Sequence, residues 1–322
     1  MTSIERHQPV GPSPRQPRPT SVDMAVNLGG LDMKNPVTVA SGTFAAGREY
    51  HDFVDVATLG AVTTKGVSLN GWEGNASPRI AETPCGMLNS IGVQTPGVAH
   101  RTAPDLPRVA ERGAAVIVNV SGHSFDEYVA VIEALEDAPI HAYEVNISCP
   151  NVDAGGLTIG TSSSSVEAVV SRCRAATKRP LIVKLTPNVT DITEIARAAE
   201  AAGADALSLI NTLLGMAIDA KHRRPQLARV VGGLSGPAVK PVALRMVWEC
   251  HKAVKIPLLG MGGISTGIDA VEFMLAGATA VAAGTVNFAN PYATVEIIEG
   301  IAQYCEEEGV KDVKELIGAL EC

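Results

Sequence analysis

Eight short apolar runs recur along this chain, and helix-like stretches follow most of them. Several runs are almost wholly apolar, as expected for parallel strands that helices cover. The strand candidates are Val37–Thr43, Ala61–Lys65, Ala114–Val120, Tyr143–Ser148, Leu181–Thr186, Ala206–Asn211, Pro257–Gly262 and Ala280–Gly284. The helix candidates include Phe125–Leu135, Ser165–Thr177, Ile192–Ala202, Val239–Ala253 and Ile268–Ala276.

Eight alternating strand–helix units predict an α/β fold of the (β/α)8 TIM-barrel type, with the active site at the carboxyl ends of the strands. We expect one barrel domain over residues 23–322. The alternative is a doubly wound open sheet. That fold usually begins with a Gly-x-Gly-x-x-Gly turn after its first strand, which this sequence lacks.

Local signals place several helix ends. Ser124 precedes Glu127 by three residues, and Ser164 precedes Glu167 by the same spacing, so both pairs resemble capping boxes. Ala-Gly-Ala occurs around Gly203 and around Gly277, where we expect glycine in the left-handed conformation that ends a helix.

The composition narrows the possible functions. Hydrophobic residues make up 46% of the chain and aromatic residues 4%, so the core must be mainly aliphatic. The net charge of −8 argues against nucleic acid as a partner, because phosphate binding needs concentrated Lys and Arg. The longest apolar candidate for a membrane span, Phe273–Val286, is shorter than the ~18 residues required and contains glycine.

The cysteines and histidines do not form metal-binding patterns. Six cysteines, at positions 85, 149, 173, 250, 305 and 322, include no Cys-x-x-Cys pair, and the seven histidines include no His-x-x-x-His pair. Disulfide frameworks occur in small secreted domains, and zinc or iron–sulfur sites use clustered ligands. We therefore expect reduced thiols, no metal site and a cytoplasmic location.

Residues 1–22 form a separate segment by composition. Five prolines lie between positions 9 and 19, among Ser, Thr, Arg and Gln. Such a composition buries little apolar area, so we expect a disordered tail. The tail has no apolar stretch like that of a secretory signal. A passive extension is favoured over a docking arm.

Polar residues close most of the predicted strands, where the carboxyl ends of barrel strands meet at one opening. In strand order they are Ser41, Lys65, Asn119, Asn146 with Cys149, Lys184, Asn211 with Thr212, and Thr285. Amide and charged side chains are costly to bury unless they have partners. Their repetition at strand ends therefore predicts a shared polar pocket.

Glycines follow the last two strands, at the usual phosphate-binding position of this fold. They are Gly262, Gly263 and Gly284, and Gly232–Gly236 adds a third segment. Glycine lets backbone N–H groups approach phosphate oxygens closely. Glycine pairs also serve ordinary tight turns, but their occurrence at adjacent strand ends favours a phosphorylated ligand.

Lys65 and Lys184 each end an apolar strand, and three roles are open to such lysines. The side chain can extend to water. Lys184 can also form a Schiff base with a carbonyl substrate, as in barrel aldolases. Finally, either lysine can place positive charge beside a flavin ring or a substrate carboxylate.

Cys149 lies between two side-chain amides in Asn146-Ile-Ser-Cys-Pro-Asn151. A residue before proline is driven toward extended geometry, so we expect this thiol in a loop after the fourth strand. Flanking amides suit a small polar ring compound, since they donate and accept hydrogen bonds without charge. A structural cysteine is the alternative, because free cysteine often packs as a small hydrophobe.

Taken together, these segments resemble the dihydroorotate dehydrogenases from about residue 24 to the C-terminus, and most closely the NAD-linked branch, class 1B. The segments that carry the resemblance are Ala40-Ser-Gly-Thr-Phe44, Thr64-Lys-Gly66, Gly86-Met-Leu-Asn-Ser-Ile-Gly92, Asn146-Ile-Ser-Cys-Pro-Asn151, Val183-Lys-Leu-Thr-Pro187, Ile210-Asn-Thr-Leu-Leu-Gly-Met216, Gly232-Gly-Leu-Ser-Gly-Pro-Ala238 and Gly260-Met-Gly-Gly-Ile264.

The resemblance implies one FMN per chain and oxidation of dihydroorotate to orotate in pyrimidine biosynthesis. The implied FMN-binding residues are Ser41, Lys65, Gly66, Asn119, Asn146, Lys184, Ile210, Gly236, Gly262, Gly263, Gly284 and Thr285. The implied substrate-binding residues are Lys65, Asn89, Ser90, Ile91, Gly92, Val93, Asn146, Asn151, Asn211 and Thr212. Cys149 would be the base that removes a proton from C5, while hydride leaves C6 for the flavin.

The NAD-linked branch implies a second subunit that carries FAD and a [2Fe–2S] cluster, in a heterotetramer with two copies of this chain. The loop 151–160 departs from the family pattern at Asp153 and at Thr158-Ile159. The resemblance implies that this loop covers the bound substrate. The alternatives are a fumarate-dependent class 1A enzyme, a flavin dehydrogenase for a related pyrimidine, a Schiff-base lyase or isomerase, and a non-catalytic binding barrel.

Overall fold

The computed structural model describes residues 13–45, 47, 49–101, 105–148 and 159–321. Eight strands form one parallel sheet that curves into a barrel, and they are labelled here in chain order. They are β1 (Val37–Val39), β2 (Val62–Thr63), β3 (Val116–Val120), β4 (Ala142–Asn146), β5 (Leu181–Lys184), β6 (Ala206–Leu209), β7 (Leu258–Met261) and β8 (Ala280–Ala283).

The strand order is β1-β8-β7-β6-β5-β4-β3-β2, so each strand from β2 onward neighbours the next one in the chain. Between β1 and β2 the Gly60 N–H donates to the Val37 carbonyl over 3.0 Å, and the hydroxyls of Thr38 and Thr63 lie 3.3 Å apart. The sheet is thus a nearly closed barrel. The predicted (β/α)8 fold is confirmed, since a doubly wound sheet would not follow chain order.

Helices surround the barrel and cover its apolar strands. They are α1 (Val98–Arg101), α2 (Asp105–Glu111), α3 (Phe125–Leu135), α4 (Ser163–Ala176), α5 (Ile192–Ala201), α6 (Lys240–Ala253), α7 (Gly267–Leu275), α8 (Val286–Ala289) and α9 (Ala293–Glu308). Between β1 and β2, the described residues contain a 3-10 turn, Val56–Thr58, instead of an α-helix. This first unit therefore differs from the predicted strand–helix repeat.

Helix ends follow local chemistry in most places. Ser124 Oγ accepts from the Glu127 N–H at the start of α3, while the Glu127 carboxylate accepts from the His123 N–H rather than from Ser124. The second predicted capping box is wrong, because α4 begins at Ser163 and places Ser164 inside the helix. Gly203 and Gly277 have φ angles of 100° and 114°, as expected for the ends of α5 and α7.

A four-stranded antiparallel sheet lies over the mouth of the barrel. Its strands, in spatial order, are Leu213–Met216, Val231–Ser235, Gly86–Asn89 and Ile80–Thr83. It joins the segment between β2 and α1 to the segment between β6 and α6. Two small hairpins complete the described strands: Val26–Leu28 with Leu31–Met33, and Ile218–Asp219 with Arg224–Pro225.

Residues 13–22 lie against the barrel instead of extending away from it. The Arg15 guanidinium contacts Glu296 at 2.8 Å and Glu299 at 2.7 Å, both on α9, and the Arg15 N–H donates to the Phe53 carbonyl. Val22 is buried. These contacts come from residues far away in the chain, which composition cannot reveal. The domain boundary at residue 23 stays a prediction.

Candidate active site

A cavity of about 340 Å³ lies at the carboxyl ends of the barrel strands, within the usual range for small-molecule sites. Its wall contains almost every described residue that the sequence placed in the site. These are Ser41, Lys65, Gly66, Asn89, Ile91, Gly92, Val93, Asn119, Asn146, Lys184, Ile210, Asn211, Thr212, Gly236, Gly262, Gly263, Gly284 and Thr285. The barrel thus brings the predicted strand ends to one opening.

One described residue that the sequence placed in the site, Ser90, does not line the cavity. Ser90 is fully buried, and its neighbours Asn89 and Ile91 line the cavity in its place. The backbone N–H of Ser90 donates to the Arg79 carbonyl. Cys149 and Asn151 lie outside the described residues.

Other residues that line the cavity were not predicted from the sequence. They include Met87, Ser235, Ile264, Ser265 and Phe288. Met87, Ser235 and Ile264 fall inside three motifs that carried the resemblance, so their positions offered a usable signal. Phe288, in the short helix α8, is more than half exposed, and no sequence pattern distinguished it.

Lys184 is the buried cation of the site. It ends β5 opposite Asn146 of β4, and only 4% of its surface is exposed. Among the described residues, none forms a hydrogen bond or an ion pair with its Nζ. A buried ammonium without a protein partner is costly, so this position suits a ligand that brings negative charge or acceptor atoms.

Lys65 and Gly66 follow β2 and line the same cavity. The Lys65 N–H donates to the Ala45 carbonyl over 2.9 Å, which fixes the backbone where the side chain enters the cavity. A Cβ on Gly66 would lie 3.0 Å from Ser121 Oγ and 3.2 Å from Asn119 Oδ1. Glycine at this position therefore leaves room for the Asn119 amide.

Amides on β3, on β4 and just after β6 form one hydrogen-bonded group. Asn146 Nδ2 donates to Asn119 Oδ1 over 3.3 Å, and Asn146 Oδ1 accepts from Ser148 Oγ over 2.7 Å. Asn211 Nδ2 donates to the same Ser148 hydroxyl over 2.8 Å. Three cavity-lining amides are thus held in defined orientations, as recognition of a polar ring requires.

Unpaired backbone donors collect after β7 and β8. In the described part of the chain, the N–H groups of Gly263, Ile264, Gly284 and Thr285 have no acceptor. Thr285 Oγ1 adds a hydroxyl, which donates to Ser235 Oγ over 2.8 Å. Clustered N–H groups bind anions, and phosphate in particular.

An ion-pair cluster behind this loop holds it in place. Lys240 Nζ lies 2.6 Å from Asp269 Oδ1 and 2.8 Å from Glu272 Oε2. Its hydrogen bonds to these two carboxylates raise the pKa of Lys240. Asp269 also accepts from the N–H groups of Ser265 and Thr266. The loop after β7 is thereby attached to the start of α6.

Comparison with known proteins identifies the family. The sequence model of the family "Dihydroorotate dehydrogenase" matches residues 23–305. The chain belongs to the dihydroorotate dehydrogenase family. It is 56% identical over 301 residues to the catalytic subunit of dihydroorotate dehydrogenase B (NAD(+)) from Alkaliphilus metalliredigens, which covers 94% of this chain and 100% of the relative.

Further relatives carry the same name. The catalytic subunit of dihydroorotate dehydrogenase B (NAD(+)) from Bacteroides thetaiotaomicron is 55% identical over 300 residues, 93% of this chain and 99% of the relative. The subunit from Pelobacter propionicus is 54% identical over 301 residues, with 93% and 99% covered. The predicted membership of the dihydroorotate dehydrogenases is confirmed.

The donor set of this dihydroorotate dehydrogenase family member fits FMN. The N–H groups without acceptors lie at the usual phosphate-binding position of this fold. The buried lysine and the neutral amides suit an electron-rich ring and its carbonyl and imide edges. In the part of the chain that the structure describes, no helix is long and apolar enough to span a membrane. The same residues contain no cluster of three or more His, Cys, Asp or Glu side chains suited to a metal ion.

The fit predicts that Gly263→Ala weakens FMN binding. Gly263 has φ 82°, and an added Cβ would lie 2.9 Å from the Gly236 carbonyl oxygen and from the Lys240 backbone nitrogen. Strain of about 1–3 kcal/mol corresponds to roughly 5- to 150-fold in FMN affinity. Flavin per chain after dialysis, measured by absorbance, gives the result.

Gly309→Ala is the matched control for this variant. Gly309 has φ 75° and no heavy atom within 4 Å of the added Cβ, so it tests the cost of the backbone conformation without crowding. Its flavin content should equal that of the wild type. Wild-type flavin affinity in Gly263→Ala would place the phosphate elsewhere.

Proposed function

We propose that this chain is the FMN-containing catalytic subunit of an NAD-linked dihydroorotate dehydrogenase. It oxidises (S)-dihydroorotate to orotate in pyrimidine biosynthesis. The observation that carries the proposal is the joint placement of buried Lys184, three amides and unpaired N–H groups around one cavity. The relatives named as catalytic subunits of the NAD(+)-linked enzyme support the same activity.

FMN would be held at both ends of the cavity. The phosphate is assigned to the N–H groups of Gly263, Ile264, Gly284 and Thr285, and the ring to the region beside Lys184. When bound, FMN supplies the acceptor for the two electrons that leave the substrate. The remaining proposed contacts are Ser41, Lys65, Gly66, Asn119, Asn146, Ile210, Gly236 and Gly262.

The substrate side of the cavity combines one cation with several amides. Lys65 is assigned to the substrate carboxylate, since an ammonium offsets its charge. Asn146 and Asn211 present amide atoms to the imide edges of the ring. The other proposed contacts are Asn89, Ile91, Gly92, Val93, Asn151 and Thr212. Ser90 is assigned a backbone role, because its side chain is buried outside the cavity wall.

Cys149 is assigned as the general base. It directly follows Ser148 in the chain, and the Ser148 hydroxyl donates to Asn146 Oδ1 at the end of β4. The thiolate form removes the proton from C5 of dihydroorotate. A cysteine serves this role best when its surroundings are partly exposed and polar, which favours thiolate formation.

The reaction also requires a final acceptor for the two electrons that FMN takes from the substrate. We assign this step to a partner subunit with FAD and a [2Fe–2S] cluster, which passes them to NAD⁺. Two copies of each subunit would form a heterotetramer. Leu214, Met216 and Ile218 lie on two strands that are consecutive in the chain, and each is more than half exposed. Exposed apolar patches are typical of protein interfaces. The assembly is placed in the cytoplasm, because the thiols of Cys85, Cys173, Cys250 and Cys305 are free.

The test is purification from the native host followed by a visible spectrum and an acceptor assay. We expect flavin bands with this chain alone, additional iron–sulfur absorbance with the partner, and NAD⁺ reduction only when both are present. Mass measurement in solution gives the subunit composition. A colourless protein would refute a flavoenzyme. Turnover with fumarate in the absence of a partner would instead favour the class 1A enzyme.

A further inference from the structure

Glu144 is a buried acidic residue inside the barrel, and the proposed mechanism gives it no role. It lies on β4, it is fully buried, and it is absent from the cavity wall. Glu144 and Lys184 are the two buried charged side chains in the described part of the chain. A buried carboxylate is costly unless hydrogen bonds compensate its lost hydration, so its partners indicate its role.

Both carboxyl oxygens of Glu144 accept hydrogen bonds inside the barrel. Asn119 Nδ2 donates to Oε2 over 2.5 Å, and Ser208 Oγ donates to Oε1 over 2.8 Å. Asn119 is the only one of these partners that also lines the cavity. Glu144 therefore reaches the ligand through the Asn119 amide.

The hydrogen bonds continue from Asn119 toward the substrate side in one direction. Asn211 Nδ2 donates to Ser148 Oγ, which donates to Asn146 Oδ1. Asn146 Nδ2 then donates to Asn119 Oδ1, and Asn119 Nδ2 donates to Glu144. Every donor in this series of hydrogen bonds points toward Glu144, and hydrogen bonds arranged in series strengthen one another.

This arrangement determines which atoms the amides present to a ligand. The oxygen and nitrogen ends of an asparagine amide are nearly equal in shape, so packing alone selects poorly between its two orientations. An acceptor at Glu144 requires the NH₂ group of Asn119 to face it. The Asn119 oxygen must then face Asn146, whose own oxygen faces Ser148.

We propose that Glu144 is a positioning residue, which orients the amides of Asn119, Asn146 and Asn211 for ligand recognition without touching the ligand. The inference rests on the proposed function in so far as orotate is the ligand used to measure it. Loss of the acceptor at position 144 should permit both amide orientations, and the affinity for a ring with a fixed donor and acceptor pattern should fall.

Two substitutions separate this role from simple charge balance with Lys184. Glu144→Leu removes both the charge and the acceptor, and we expect the orotate dissociation constant to rise about 10- to 100-fold. Glu144→Gln removes the charge but keeps an acceptor for Asn119, while the Ser208 hydroxyl can rotate to accept from the new amide. We expect Glu144→Gln to restore affinity to within about threefold of the wild type.

Ser148→Ala and Ser208→Ala complete the set. Ser148→Ala interrupts the chain between Asn146 and Asn211, and it should weaken orotate binding about tenfold even if Glu144→Leu fails to fold. Ser208→Ala removes the other partner of Glu144 and leaves the amide chain intact. It is the matched control and should bind orotate like the wild type.

The measurements are flavin content, melting temperature, orotate titration of the flavin spectrum, and NMR of protein with ¹⁵N-labelled asparagine side chains. Slowly exchanging amide signals of Asn119 and Asn146 should persist in Glu144→Gln and disappear in Glu144→Leu. Equal losses of affinity in both variants would overturn the proposal, as would unchanged orotate affinity in Ser148→Ala. A wild type that shows the amide signals but does not bind orotate would refute the proposed function alone.

Discussion

Replacing Cys149 with alanine is expected to slow flavin reduction by dihydroorotate about 10²–10⁴-fold, the range for loss of a general base. Flavin content should change little, because the phosphate and ring contacts are assigned to other residues. Rapid mixing of the oxidised protein with dihydroorotate, followed by flavin absorbance, measures the rate. A near-normal rate would remove Cys149 from the mechanism.

The pH dependence of the same rate adds a second readout. A free thiol has a pKa of about 8.5, so the rate of wild-type flavin reduction should rise with pH as the thiol loses its proton. Burial raises the pKa of Cys173 and of Cys250 to about 12, so neither titrates in this range. Cys85→Ala, at an exposed free cysteine, is the matched control and should keep both the rate and its pH profile.

Replacing Lys184 with alanine is expected to lower the rate of flavin reduction about 10²–10³-fold, as for other groups that stabilise charge developing in a closed site. Lys184 is 4% exposed and lines the cavity, so its charge acts where water screens little. The flavin midpoint potential should fall as well, because the reduced ring loses a nearby cation. Stopped-flow spectroscopy and a redox titration measure the two quantities.

Lys178→Ala is the control for this experiment, since Lys178 is exposed and does not belong to the cavity wall. Its rate and potential should match the wild type. Borohydride treatment in the presence of dihydroorotate should leave no substrate attached to Lys184. An unchanged rate and potential in Lys184→Ala would contradict the assigned role, and borohydride trapping at Lys184 would favour Schiff-base chemistry.

Local patterns were sufficient for the barrel itself. The apolar run at Leu181 begins the observed strand β5 at the predicted residue, and α3 has the predicted bounds Phe125–Leu135. Both depend on short-range information: a continuous apolar segment in one case, and a Ser124 cap followed by helical spacing in the other. The glycine-rich ends of β7 and β8 indicated the cluster of unpaired N–H groups for the same reason.

Long-range contacts were not visible in these patterns. The sheet over the barrel mouth pairs Gly86–Asn89 with Val231–Ser235, and neither segment indicates its partner. Its formation brings Met87 and Ser235 into the cavity wall. Residues 13–22 likewise appear polar and proline-rich, yet Arg15 finds two carboxylates on α9. In each case the partner lies more than a hundred residues away in the chain.

The sequence by itself determined the alternating strands and helices, because hydrophobic periodicity is a local property. That alternation in turn predicted a barrel whose amides and lysines lie at one mouth. Only the tertiary structure decided that Glu144 faces Asn119 and Ser208 inside the barrel. The physical reason is register. Which side chains meet across β3, β4 and β6 depends on how the strands align, and the direction of every amide in the site follows from that alignment.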